Sequence, residues 1–204
     1  MTTEEGVHET SPHKIGVSMS APQFEALLEA NASEELPAGA KVVTATRIPG
    51  GYNNTTYRVE CEWPSASTAT RRVIAVRMSK LSSWPMHKLR GEVATIRYVQ
   101  HHARLAGPDS PLNKVPKVLF FSDAMPGVTD GLAALGMAWV EGETVDAGRY
   151  AAMAPAAQQR FVGDAVDFLA ALQRLPTPAG ANDVRVGRVM PGPSGADGDI
   201  VLAE

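Results

Sequence analysis

A single charge interrupts an otherwise apolar strand in the first half of the chain. Residues 73–78 read Val-Ile-Ala-Val-Arg-Met, and Arg77 stands where burial calls for an apolar side chain. A charge buried in a strand is costly unless it meets a partner or a ligand. Upstream, the Gly50-Gly51 pair precedes a second β pattern at Thr56, Tyr57, Arg58 and Val59. Without a Cβ, a glycine can take positive φ and let the backbone come close to a ligand. The stretch Arg47–Met78 therefore reads as two strands and a polar turn, with the glycine pair at the mouth of the hairpin and one cation to account for.

A chain of 204 residues suffices for one sizeable domain, or for one domain and part of another. With 44% hydrophobic and 20% charged residues it falls among ordinary soluble globular proteins. A net charge of -3 gives no reason to expect a nucleic-acid or anionic-membrane partner. The one cysteine, Cys61, excludes an internal disulfide framework and a cysteine-based zinc site. It follows Val59 in a strand with no histidine companion, so it reads as a packed residue rather than a nucleophile. No run approaches the roughly 20 apolar residues of a membrane helix. The polar N-terminus lacks a signal pattern, and the expected location is cytoplasmic.

In chain order, residues 1–19 carry little hydrophobic material and are expected to be disordered. Ser20 and Pro22 look like a helix cap and first turn, with Phe24, Leu27 and Leu28 on one face. Strands follow at Lys41–Ile48, Thr55–Glu62 and Arg72–Met78, the last central because its apolar run is continuous. A long helix spans about Met86 to Leu105, with Leu89, Val93, Ile96, Gln100 and Ala103 in one stripe and Glu92 at its edge. Val115–Ser122 and Leu132–Val140 read as two further strands, the second ending at Glu141-Gly142. A last helix opens at Pro155, with Phe161, Ala165, Phe168, Leu172 and Leu175 in phase, and stops at Pro176 and Pro178. From 177 to 204 no periodicity is convincing, and an irregular tail is expected. The fold class is α+β, with three turn-linked antiparallel strands and a helix packed on the sheet.

This order of elements resembles the N-terminal lobe of the protein-kinase-like fold, and more narrowly the aminoglycoside phosphotransferase and choline kinase group of small-molecule kinases. GGYNNTTYRV is similar to the phosphate-covering loop of that group, with Gly51 and Asn54 at its glycine and asparagine. VIAVRM resembles the third strand, with Arg77 at the basic residue that holds ATP phosphates. KLRGEVATIRYVQ resembles helix C, with Glu92 at the carboxylate that pairs with that residue. VPKVLFF resembles the fourth strand, and GMAWVEG the fifth strand and hinge. The resemblance spans about Pro37 to Leu175. It implies an N-lobe with its leading helix and hinge at 20–142, a five-stranded antiparallel sheet with one packed helix, and the first helix of an incomplete C-lobe at 143–176. It also implies a nucleotide site: Gly50, Gly51 and Asn54 over the phosphates, Arg77 against them, Glu92 orienting Arg77, and Met137, Trp139 and Val140 beside adenine.

The chemistry is coherent, since a triphosphate needs backbone N–H groups from a glycine turn and a fixed cation. A carboxylate on a packed helix can fix that cation through charge-assisted hydrogen bonds. Simpler readings stand beside it. The glycine pair could serve only a hairpin turn, Arg77 could snorkel to the sheet edge, and Glu92 could form a surface pair with Lys88 one turn earlier. Met137 and Trp139 could be plain core.

The departures weigh as much. Arginine replaces the lysine of many kinases, and its phosphate geometry differs. The group's catalytic loop carries a His-x-Asp followed by Asn, and a further Asp binds magnesium. The five histidines are His8, His13, His87, His101 and His102, and none follows the last helix. Asp197 and Asp199 occur without that His or Asn. The expectation is a truncated relative of a kinase that moves the ATP γ-phosphoryl to a small-molecule hydroxyl. Such a chain would bind nucleotide weakly or be inactive, with Mg2+ relevant only to a full-length relative and the acceptor unknown. A non-catalytic regulatory or scaffold module is the alternative. The stripe Phe161, Phe168, Leu172 and Leu175 is expected to lie exposed and to allow self-association.

Overall fold

A computed structural model describes residues 18–49, 54–64, 70–80, 85–176, 188–191 and 200–203. The N-terminal tail to residue 17, the Gly50-Gly51 pair and the Asp197–Asp199 stretch lie outside the described residues. The elements are α1 (Ala21–Ala30), β1 (Lys41–Ile48), β2 (Asn54–Trp63), β3 (Thr70–Lys80), α2 (Pro85–Ala106), β4 (Val118–Ser122), β5 (Leu132–Ala138), α3 (Ala147–Ala152), α4 (Pro155–Gln173), β6 (Arg188–Pro191) and β7 (Ile200–Ala203). Strands β1 to β5 form one antiparallel sheet in the order β1-β2-β3-β5-β4, and β6 pairs with β7 alone. This is the α+β, five-stranded arrangement expected of a kinase-like N-lobe. The chain divides into two compact units, Met1–Pro85 with Ser122–Ala134, and Met86–Phe121 with Leu135–Glu204.

In the first unit, Ser20 precedes α1 with extended backbone, and its N–H donates to the Gln23 side chain at 2.9 Å. That contact and Pro22 start the helix where the sequence places it. Phe24, Leu27 and Leu28 are fully buried, and Phe24 meets Tyr57 of β2 edge-on with ring centroids 5.1 Å apart. Two glutamates one turn apart tie α1 to the chain ahead of and within β1. Glu29 accepts from the N–H of Gly39 at 2.7 Å, and Glu25 from the N–H of Val42 at 3.0 Å. Gly39 sits at φ +81°, a conformation open to glycine and strained for other residues.

Burial alternates strictly along β2, with Thr55, Tyr57, Val59, Cys61 and Trp63 buried and the residues between them half-buried. β3 answers it with Ile74, Val76 and Met78 buried and Val73, Ala75 and Arg77 half-buried. The register joins these patterns, setting Tyr57 opposite Val76 and Val59 opposite Ile74. Trp63 closes the far end: its Nε1–H donates to the Pro37 carbonyl at 2.6 Å, and the Arg72 guanidinium lies 5.8 Å from its ring centre.

In the second unit, α2 buries Leu89, Val93, Ala94, Tyr98, Val99 and Ala103, a wider face than the stripe read from sequence. Val99 and Ala103 join Leu112 in a cluster against which Val115, Phe168, Ala171, Leu172 and Leu175 pack. The Tyr98 hydroxyl donates to the Pro176 carbonyl, so α2 also holds the end of α4. The predicted stripe on α4 is thus corrected: Phe168, Leu172 and Leu175 are partly buried against α2, and the exposed apolar residues are Phe161, Val162, Val166 and Leu169. β4 begins three residues later than expected, because Pro111–Lys114 form a tight 3-10 turn capped by the Ser110 hydroxyl. The tail expected to be irregular contains the β6–β7 ribbon, paired from Arg188–Ala203 to Pro191–Ile200.

Candidate functional site

Antiparallel partners directly opposite one another project to the same side of a sheet. The β2–β3 register therefore gathers Thr56 with Arg77, Arg58 with Ala75, and Glu60 with Val73 on one half-buried face. Asn54 opens β2 on the same face, opposite Ser79. The alternation carries Arg77 away from the apolar side that holds Tyr57, Val59, Ile74, Val76 and Met78. Within β2–β3, the charge that interrupts the strand thus costs the packed core nothing, because it faces the other way.

That face has an ordered chemistry along its length. Arg77 and Thr56 stand near the Asn54 end of β2, with small Ala75 and apolar Val73 running away from them. Beside Ala75, the Arg58 guanidinium donates to Glu60. The two side chains are 33% and 22% exposed, so the pair is half-withdrawn from water. The contact holds the Glu60 carboxyl below its ordinary value; burial opposes this and the Arg58 charge adds to it. Sequence reasoning named Asn54 and Arg77 here but not Thr56, Arg58, Glu60 or Ala75. Their signal was present in the alternation, and only the register shows which residues of two strands share a side.

The other predicted residues belong to the second unit. Glu92 is half-buried on α2. Met137 lies near the end of β5, half-buried, while Trp139 and Val140 follow in the irregular segment after it, Val140 well exposed. The approach to that segment is fixed by Ala138, whose N–H donates to the Lys117 carbonyl at 2.8 Å. It is fixed also by Gly136, which presses on Phe120: a Cβ there would fall 2.0 Å from the ring. Gly136 is required by this contact rather than by its φ.

Cys61 is fully buried, and burial, aided by the Glu25 charge, pushes its thiol up to about 12. It is a packed residue, as the sequence suggested. A concavity of about 440 Å³ lies beside α4, lined by Val115, Pro116, Phe161 and Phe168. The one cation in its lining, Lys114, is 3.2 Å from Asp164, which leaves that cleft poorly equipped for an anion. Among the described residues no group of three His, Cys, Asp or Glu side chains is placed to hold a metal ion, and no helix is long and apolar enough to cross a membrane.

A family model described as the phosphotransferase enzyme family matches residues 44–194, most of the chain. The chain belongs to that family. Phosphotransferases of this family generally use ATP with magnesium. The match begins within β1 and takes in the β2–β3 face, α2, β5 and α4. No curated protein and no solved structure matches the chain.

Proposed function

We propose that this phosphotransferase-family chain binds ATP across the half-buried face of β2–β3, with Arg77 as the phosphate cation. The observation that carries the reading is the register: Arg77 and Thr56 share one face with Ala75 and Val73, so a cation and small apolar ground lie in line. A nucleoside triphosphate needs such a pairing, with fixed positive charge for its phosphates and a shallow apolar surface for its base. In this reading Gly50, Gly51 and Asn54 cover the phosphates, Glu92 orients Arg77, and Met137, Trp139 and Val140 border adenine. The residues fit a nucleotide, whereas the described acidic side chains form no cluster suited to Mg2+. The metal's part is to neutralise phosphate charge wherever a full phosphotransferase site assembles.

The related full-length activity would be transfer of the ATP γ-phosphoryl to a hydroxyl of a small molecule in the cytoplasm. The 204 residues contain no His-x-Asp, so the chain itself supplies no matched base for the acceptor hydroxyl. It binds nucleotide weakly and does not transfer phosphate. Calorimetric titration with ATP tests this. The expected result is a dissociation constant near 1 mM, equivalent to about -4 kcal/mol, weakened at least tenfold in Arg77→Ala. Equal affinity in the two proteins, or sustained ATP-dependent phosphorylation of small-molecule hydroxyls by the pure chain, would overturn it.

A further inference from the structure

One apolar face of α4 is turned out to solvent, on the side away from its packing with α2. Val162, Val166 and Leu169 on this face are 46%, 56% and 57% exposed. Their spacing of four and three makes the seam along which one helix packs on another, and exposed Gln173 continues it. The helix has 19 residues and so is about 28 Å long. Beside the seam lies Gly163, where a Cβ would meet nothing within 4 Å. Glycine weakens a helix interior relative to alanine, and no contact among the described residues calls for it here. A second backbone coming close from outside would.

One step further round the helix stand Arg160 and Asp167, both exposed and on the same flank of the seam. Seven residues apart, they are separated by about 10.5 Å of helix and do not pair with each other. Two copies of α4 packed in parallel would set like charges side by side. Packed antiparallel about a two-fold axis, they set Arg160 against Asp167 of the second copy, and the symmetry makes the pair twice. The axis then falls midway between 160 and 167, at Gly163 and Asp164, so the helices are nearest where the glycine is. Asp164 brings no bare charge there, since Lys114 holds its carboxylate at 3.2 Å.

We propose that the Val162–Val166–Leu169 face of α4 is a docking surface for a second copy of this chain, packed antiparallel and locked by two Arg160–Asp167 pairs. Charge complementarity chooses the occupant and its direction, and the seam supplies the apolar contact. A single helix pair of this length buries less than the 1,200–2,000 Å² total of a stable interface. The dimer is therefore reversible, with a dissociation constant of roughly 10–100 μM.

Sedimentation equilibrium of the full chain from 5 to 500 μM, flagged here as about two decades around that constant, tests this. Circular dichroism melting verifies that each variant is folded. The unaltered chain passes from monomer to dimer and stops there. Val166→Glu is monomeric throughout; Leu169→Glu takes its place if that variant does not fold. Gly163→Leu adds apolar surface yet weakens the dimer, because it blocks the close approach. Arg160→Glu and Asp167→Lys each weaken association roughly tenfold. An equimolar mixture of those two variants recovers it, since each pair is again of opposite charge, and so does the double variant alone. A chain that stays monomeric at every concentration leaves this face to a different partner and overturns the proposal. A dimer that survives Val166→Glu lies on another surface and also overturns it. Tighter association in Gly163→Leu, or no recovery in the mixture, makes the contact unspecific adhesion and overturns the antiparallel arrangement.

Discussion

The two faces of the β2–β3 hairpin are built from the same strands and have opposite constitutions. One carries Tyr57, Val59, Cys61, Ile74, Val76 and Met78, nearly all below a few per cent exposure, with Phe24 of α1 against Tyr57. The other carries Thr56, Arg58, Glu60, Val73, Ala75 and Arg77, all half-buried. Period-two alternation sorts them, so a shift of register by one residue would exchange the sets and put Arg77 into the core. On the proposed nucleotide reading, stability and recognition in this unit are separable by parity. Substitutions on the first face should cost folding free energy, and those on the second should cost ligand.

The largest effect should come from Phe24→Ala, which empties the contact on Tyr57. Removing a fully buried phenylalanine costs about 3–5 kcal/mol, read by urea denaturation as a lower midpoint. On the opposite face, Arg77→Ala should change stability by less than about 1 kcal/mol while weakening ATP binding. A large loss of stability from Arg77→Ala would break the distinction between the faces.

A contact in the second unit gives the next effect. Gly136→Ala sets a Cβ 2.0 Å from the buried ring of Phe120, where a side chain and two strands must move apart. Such overpacking costs about 1–3 kcal/mol. Gly136→Ala combined with Phe120→Leu should recover part of that loss, since the smaller side chain relieves the clash. Absence of recovery in thermal melts would mean that the glycine is needed for another reason.

How much of this was legible in the sequence depends on the kind of signal. Long periodic elements were readable: Ser20 and Pro22 start α1, and α4 begins at Pro155 as expected. Arg77 was readable as an anomaly, since one charge in an apolar run breaks a local rule. Short elements were not. α3 has six residues and is held at its start by Asp146, whose side chain accepts from the Arg149 N–H at 2.8 Å, a cap with no apolar stripe behind it. β6 and β7 are four residues each and depend on one another. The facing of α4 also escaped, because that helix is apolar on two sides. Phe161, Phe168 and Leu172 fit one stripe and Val162, Val166 and Leu169 another, and periodicity cannot choose between two stripes. Only packing on Val99, Ala103 and Leu112 decides it. Arg58 was hidden for a similar reason, since its neighbour Ala75 lies on a different strand.

The smallest effect is in the pH dependence, where the two faces should act in opposite directions. On the packed face Cys61 is raised from 9.0 to about 12, first by burial and then by the charge of Glu25. Its folded value lies above its unfolded one, so its share of stability is complete below pH 9.0 and is lost as pH climbs toward 12. On the polar face Glu60 is lowered from 4.5, first by its hydrogen bond with Arg58. Its share is present above pH 4.5 and is lost as pH falls through the lower folded value. Glu25, lowered by the Val42 N–H and then by Lys41, adds to the same acid limb. Denaturation midpoints measured across pH should therefore fall at both ends. Cys61→Ala should flatten the alkaline limb alone, and Glu60→Gln the acid limb in part, leaving the portion due to Glu25. The native thiol should also resist iodoacetamide at pH 8 and react once urea opens the chain, since only the thiolate attacks. Rapid native labelling would mean that Cys61 is not sealed and that the packed face is less closed than its burial indicates.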